Sequence, residues 1–375
     1  MYDYLIIGAG LFGSIFAYEM NKNGFKVMVI EKRNHIGGNC FTEPFEDYHI
    51  HKYGPHIFHT SNKKVWEYVN KLSLFDNFSF RNKANIDNKI YSIPINLSTI
   101  HQIWPDITSP DQAREKIKKD CVPYLNPKNF EQYCLSTMGK TLYQMFFYGY
   151  TKKQWGKEPK LLSADVAKRI PLRFDFNDRY YHESQIYEAM PTNGYTSIFE
   201  ILLKDIDLQM NVDFLKEKKH FKSIAKKIIF TGAIDAYFDY MFGDLEYRTL
   251  YHYNQILSGD FQGTAVVNYP LEKQFWTRII QHKHFHNGKS NKDYVTIESS
   301  AQFDKKVHEE RFYPINDQIN NDLYAKYKAY AEENESNVIF GGRLGEYKYY
   351  DMDKTIEKSL ELVNKELEGK NLLIK

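Results

Sequence analysis

Gly8-Ala9-Gly10-Leu11-Phe12-Gly13 stands between a short apolar run, Tyr4–Ile7, and a helical pattern, Leu11–Asn23, that ends near Gly24. A second apolar run, Val27–Ile30, follows and closes on the acidic Glu31. No other feature constrains the fold so tightly. The GxGxxG spacing predicts strand, tight turn, helix and second strand. Gly8 makes the turn, Gly10 clears the approach to a pyrophosphate, and Gly13 lets helix and strand pack closely. The helix N-terminus offers unpaired amides and its positive dipole end to the phosphates. Glu31 is placed to accept hydrogen bonds from a ribose diol. Together they predict a Rossmann-like dinucleotide-binding unit.

With 375 residues the chain exceeds one small core. A helix is expected over Asn62–Leu74, with Val65, Trp66, Val69 and Leu72 on one face, and helical patterns recur at Asp111–Lys119 and Asn129–Met138. Residues 161–193 read as a loop followed by short strands. Ile228–Gly232 reads as a late strand and turn, and 245–300 alternates with period two, as in Thr277–Phe285. Asp322–Asn334 and Lys354–Glu368 are expected helices, and Ile339–Arg343 a strand entering a Gly turn.

Several classes are excluded. A net charge of +2 offers no basic face for nucleic acid, and no apolar run is long enough for membrane insertion. Asp3 sits where the cationic region of a secretory signal belongs, so a cytoplasmic protein is expected. Three widely spaced cysteines, without a CxxC, fit a reducing compartment. His51, His56 and His59 invite a zinc reading, as do His282, His284 and His286. No carboxylate or Cys completes either set and strand alternation explains the second, so no metal is expected.

Glu31 leads into Lys32-Arg33-Asn34-His35-Ile36-Gly37-Gly38-Asn39, whose glycine pair resembles the extension of amine-oxidase-like flavoproteins and favours FAD over NAD. Six further stretches are similar, in order, to bacterial UDP-galactopyranose mutases. They are His51–Thr60 (HKYGPHIFHT), Gly149–Gly156 (GYTKKQWG), Lys168–Phe174 (KRIPLRF), Thr277–Ile280 (TRII), Phe312–Asp317 (FYPIND) and Gly341–Met352 (GGRLGEYKYYDM). The resemblance covers essentially the whole chain; Phe80-Arg81-Asn82 departs from the family's pattern. It implies an α/β fold, with a Rossmann-like FAD-binding domain, an inserted helical bundle and a flanking antiparallel β-sheet. The expected division is a discontinuous FAD-binding domain (1–79, 194–244 and 315–375), a helical bundle (97–160) and a sheet-bearing substrate domain (80–96, 161–193 and 245–314).

The implied activity is interconversion of UDP-galactopyranose and UDP-galactofuranose by reduced FAD without net redox. In that mechanism flavin N5 attacks the anomeric carbon and displaces UDP, the ring opens and recloses with five members, and UDP returns. The product would supply a furanose donor for surface polysaccharide. UDP-N-acetylgalactosamine is a further candidate substrate, NAD(P)H or a flavin the reductant, and a homodimer the expected assembly.

By the same resemblance Arg169, Arg278 and His59 are catalytic, the two arginines because a planar fork suits a diphosphate. Phe147, Tyr150, Thr151, Trp155, Tyr180, Asn268, Tyr313 and Tyr349 would contact the substrate. The segment after Tyr180 runs longer than the family pattern, which leaves Tyr181 as an alternative. The cofactor would be held by Gly8, Gly10, Phe12, Gly13, Glu31, Lys32, Gly38, Asn39, His56, Ile57, Val212, Asp213, Arg343, Tyr350, Asp351 and Met352. The alternatives are an FAD-dependent amine-oxidase-like oxidoreductase and a flavoprotein that binds nucleotide-sugars without turnover.

Overall fold

A computed structural model describes residues 1–168 and 171–369. Its organising element is a five-stranded parallel sheet in the order Asp207–Met210, Val27–Glu31, Tyr2–Ile7, Ala225–Phe230 and Val338–Phe340. The strand alternation explains its two-sided burial. Tyr4, Ile6, Val27 and Val29 enter one core, while Leu5, Met28, Ile30 and Ile228 enter the other. Both faces are covered, so the central strands read as unbroken apolar runs. The fingerprint helix Leu11–Lys22 and the closing helix Met352–Glu368 cover the first face; Gln318–Asn334 packs over the second.

A seven-stranded sheet stands beside it, in the order Tyr313–Pro314, Tyr247–Ser258, Lys292–Gln302, Arg278–Gln281, Val266–Asn268, Asn82–Ile86 and Lys89–Ile93. One pairing differs from the antiparallel expectation: Val266–Asn268 runs parallel to Asn82–Ile86. Tyr313–Pro314 covers only the start of the long strand Tyr247–Ser258.

The helical region holds Leu97–Ile103, Pro110–Asp120 and Phe130–Thr137. Ser109 and Gln112 form a capping box with Pro110 at the first helical position, and Asn96 and Asn129 cap their helices. A π-helical turn, Tyr143–Tyr148, then leads into the helix Gly149–Trp155.

Two expectations are corrected. Within 161–193 the only strand among the described residues is Tyr187–Pro191, and it joins Phe58–Thr60 and Phe75–Asn77 in a separate sheet. Leu162 and Ala167 pack instead into a core shared by the helical region and the strands Asn82–Ile86 and Lys89–Ile93. The strand expected over Thr277–Phe285 ends at Gln281, and His282–Phe285 forms a 3-10 turn. His282 then faces Thr296, His284 faces Asp260 and His286 lies against His49, so turn geometry rather than strand alternation separates them. Among the described residues no three His, Cys, Asp or Glu side chains group so as to hold a metal ion. No described helix is long and apolar enough to cross a membrane.

Candidate active site

A cleft of about 290 Å³ opens where Ile7, Glu31 and Phe230 end their parallel strands. Its floor is backbone. Gly8 has φ +105°, and a Cβ on Gly13 would overlap the Gly8 carbonyl oxygen. The second glycine pair docks on this turn: Gly37 N–H donates to the Ala9 carbonyl (2.8 Å), and a Cβ on Gly38 would come within 3.0 Å of Gly10 Cα. Glu31 is buried and accepts from the Ala9 amide (2.8 Å) and the Arg33 amide (2.9 Å).

Charged side chains close the outer end. Arg33 lies over the Tyr53 ring, ion-pairs with Glu310 and donates to Asn39 Oδ1 (3.0 Å). Lys32 Nζ donates to the Glu309 carbonyl (3.1 Å). At the inner end Arg343 donates to the carbonyls of Tyr350 (2.6 Å) and Phe312 (3.2 Å). His56 Nδ1 lies 2.8 Å from the Gly54 carbonyl, which can only accept, so Nδ1 carries the proton and Nε2 is an acceptor. Burial, helped by Arg343, pulls this imidazole down to about 4, and it is neutral near pH 7.

The seven-stranded sheet contributes a row of side chains. Asn268 stands opposite Arg278, Arg278 opposite Glu298 and Glu298 opposite His252, on four adjacent strands. Directly opposed residues share a face. Arg278 Nε and Nη2 donate to the two oxygens of Glu298 at 2.7 and 2.9 Å. Burial opposes ionisation of Glu298, but Arg278 and His252 overcome it and hold its carboxyl down to about 2. This bidentate grip fixes the guanidinium plane and leaves other N–H groups to donate elsewhere.

Tyr150 and Tyr313 share the electrostatic neighbourhood of Arg278. Burial pushes both phenols above their ordinary range, so each keeps its proton. The Tyr313 ring lies 6.3 Å from Trp155 and 5.4 Å from Tyr349, and the Arg343 guanidinium sits over both tyrosines. Through Arg343 this aromatic wall is continuous with the cleft.

Of the residues expected at the cofactor, Gly8, Gly10, Phe12, Gly13, Glu31, Lys32, Gly38, Asn39, His56, Val212, Asp213, Arg343 and Met352 line the cleft. Ile57 packs in the adjoining core, Tyr350 supplies the carbonyl that holds Arg343, and Asp351 precedes the closing helix. Among substrate candidates, Thr151 and Asn268 are buried, and Phe147 packs in the core of the helical region. His59 stacks on Tyr181 (3.7 Å) with Nδ1 3.1 Å from Gln185 Oε1, while Tyr180 packs on Phe80. Arg169 lies outside the described residues. Sequence reasoning missed Glu298, His252, and the Arg33–Glu310 pair. Strand alternation could have suggested a carboxylate partner for Arg278, but only the sheet register selects Glu298.

A family model for an NAD(P)-binding Rossmann-like domain matches residues 6–72. The model for UDP-galactopyranose mutase matches residues 145–349, more than half of the chain. The chain belongs to the UDP-galactopyranose mutase family. As a member of this family it is an enzyme, an isomerase. It is 39% identical over 376 residues to the dTDP-fucopyranose mutase of Escherichia coli, covering 96% of this chain and 97% of that one. It is 38% identical to a probable UDP-galactopyranose mutase of Klebsiella pneumoniae, covering 96% and 93%. To the UDP-galactopyranose mutase of Mycoplasma pneumoniae it is 30% identical, covering 96% and 94%.

The solved structure of a reduced UDP-galactopyranose mutase superposes with a TM-score of 0.75 at 14% identity, covering 98% of this chain and 94% of that chain. A putrescine oxidase shares the fold at a TM-score of 0.60 and 10% identity, covering 98% and 99%. An amine-oxidase-like fold is therefore common to both classes, and family membership sets the oxidoreductase alternative aside.

Proposed function

We propose that this mutase-family chain interconverts UDP-galactopyranose and UDP-galactofuranose with FAD that must be reduced. The observation that carries the reading is the Asn268–Arg278–Glu298 row, with Tyr150 and Tyr313 in the electrostatic neighbourhood of Arg278 and Arg343 linking Tyr313 to the dinucleotide cleft. The cleft fits FAD. The Gly10–Gly38 approach leaves backbone room for a pyrophosphate, Glu31 suits a ribose, and Arg343 supplies a cation beside the inner end. Reduced FAD, when bound, would supply the nucleophile that displaces UDP from the anomeric carbon.

The remaining work falls to this chain. Arg278, held flat by Glu298, neutralises the departing diphosphate. Tyr150 and Tyr313, kept protonated by burial, donate hydroxyl hydrogens beside it. Trp155 offers a platform for the uracil ring. Neutral His56, with Nε2 free of hydrogen, can accept a hydrogen bond at the inner cleft. Arg169 is assigned to the diphosphate, and His59 to a catalytic place in the stretch against the isoalloxazine, on the resemblance. The proposed setting is a cytoplasmic homodimer that makes furanose donors for surface polysaccharide, takes electrons from NAD(P)H or a flavin, and has UDP-N-acetylgalactosamine as a further candidate substrate.

A second reading, interconversion of dTDP-fucose ring forms, is favoured by the 39% identity to the E. coli enzyme. The test is an anaerobic assay of dithionite-reduced enzyme with each furanose nucleotide. Conversion of UDP-galactofuranose to the pyranose, without stoichiometric electron consumption, is expected. Turnover of the dTDP-fucose pair alone would replace the first reading with the second, and turnover of neither would overturn both.

A further inference from the structure

We propose that Lys153 is a positioning residue for nucleotide recognition: its ammonium locks the helix bearing Tyr150, Thr151 and Trp155 onto the segment that joins the strands of Asn268 and Arg278. The inference rests on the proposed assignment of those residues to uridine and diphosphate. Lys153 Nζ lies within hydrogen-bond distance of four backbone carbonyls: Tyr269 (2.5 Å), Leu271 (2.8 Å), Trp276 (2.9 Å) and Gln274 (3.2 Å). All four belong to the stretch between Val266–Asn268 and Arg278–Gln281. An ammonium has three N–H donors and no acceptor. Four carbonyls therefore share three hydrogens, and the cation organises the whole loop around one point.

The helix is gripped from its other side as well. Arg248 donates from Nη2 to the Lys153 carbonyl (3.0 Å) and from Nε to the Gln154 carbonyl (2.9 Å), and Ser300 Oγ donates to the latter at 2.7 Å. These bonds satisfy carbonyls that a helix C-terminus leaves without partners. At the N-terminal end Gly149 rests directly on the loop, where a Cβ would come within 2.5 Å of the Pro270 carbonyl oxygen and 3.2 Å of Glu272 Cγ.

The neighbouring Lys152 behaves differently. It pairs with Glu158 and Glu272 at 3.1 Å each, both half-exposed, and such pairs contribute little. Lys153 has no carboxylate partner among its hydrogen bonds; its acceptors are loop backbone. The side chain thus sets the distance between two sets of substrate contacts that lie more than a hundred residues apart in sequence. A displacement on the order of 1 Å between such sets costs about a hundredfold in activity.

The test uses FAD-loaded protein, with UDP affinity from calorimetry, flavin absorbance, thermal melting and steady-state kinetics. Lys153→Met is expected to keep its flavin, to bind UDP about a hundredfold more weakly and to show a raised KM with a lowered kcat. Lys153→Ala is expected to match it in sodium chloride and to regain UDP affinity in ammonium chloride of equal ionic strength, because a free ammonium ion can enter the carbonyl cage. A Lys153→Met protein with a lowered Tm but wild-type UDP affinity would overturn the proposal. Should that variant not fold, equal UDP affinity of Lys153→Ala in the two salts would do the same. Failure of the wild-type enzyme to bind UDP would instead remove the proposed function, so the two failures are separable.

Discussion

Along the proposed cofactor cleft, the groups turned inward are largely backbone: the Gly8–Gly13 turn, the Gly37–Gly38 loop docked on it, and one buried carboxylate, Glu31. Across the proposed substrate face they are side chains from four strands and a helix, held by the Arg278–Glu298 pair and the Lys153 cage. The first region is local in sequence and depends on space; the second is dispersed and depends on charge. A cleft made of backbone should resist loss of charge and fail on added volume. The substrate face should do the reverse.

The largest effect expected on that contrast comes from Glu298→Ala. Removing it leaves a partly buried guanidinium unpaired and should cost about 3 kcal/mol in urea melts, with flavin affinity of the folded fraction unchanged. The carboxyl is held down to about 2, so its stabilising contribution is present above the ordinary carboxylate range and is lost as pH falls toward 2. The acid limb of stability against pH should be shallower in Glu298→Gln than in wild type. An unchanged limb would show that the pair is not the acid-sensitive element.

Arg278→Ala comes next, with turnover reduced about a hundredfold to a thousandfold while flavin absorbance persists. Near-normal turnover would remove the diphosphate assignment. Gly13→Ala tests the other region. The overlap with the Gly8 carbonyl should cost about 1–3 kcal/mol, read as weakened flavin binding, with UDP affinity little affected. Equal losses of flavin and UDP would erase the distinction between the regions. At the bottom of the scale, Lys63→Ala breaks an exposed pair with Glu67 and should shift stability by no more than about 0.5 kcal/mol.

The same contrast explains what was legible in the sequence. The fingerprint could be read because strand, turn, helix and acidic residue are consecutive, and each role follows from local backbone geometry. Even Glu31 was placed on its strand end by counting. Glu298 could not be found this way: its pairing with Arg278 is set by the register of a sheet that spans residues 82 to 314. The parallel pairing of Val266–Asn268 with Asn82–Ile86 escaped for the same reason. His282–Phe285 misled because its alternation continues the pattern of a strand that has already ended. Lys153 and Lys152 are indistinguishable as letters, and only burial and acceptor geometry separate them.

The first strand, Tyr2–Ile7, is flanked by Val27–Glu31 and Ala225–Phe230, with Val338–Phe340 beyond. Ser359 Oγ then donates to the Phe12 carbonyl (2.8 Å), across a separation of 347 residues. On a ribosome adding 5–20 residues per second, the opening strand must wait roughly 10–45 s for its second neighbour. It waits longer still for the helix that seals the fingerprint. The nascent chain therefore exposes an apolar strand edge until Ala225–Phe230 has been made, and the Gly8–Gly13 turn is sealed only once Met352–Glu368 has followed.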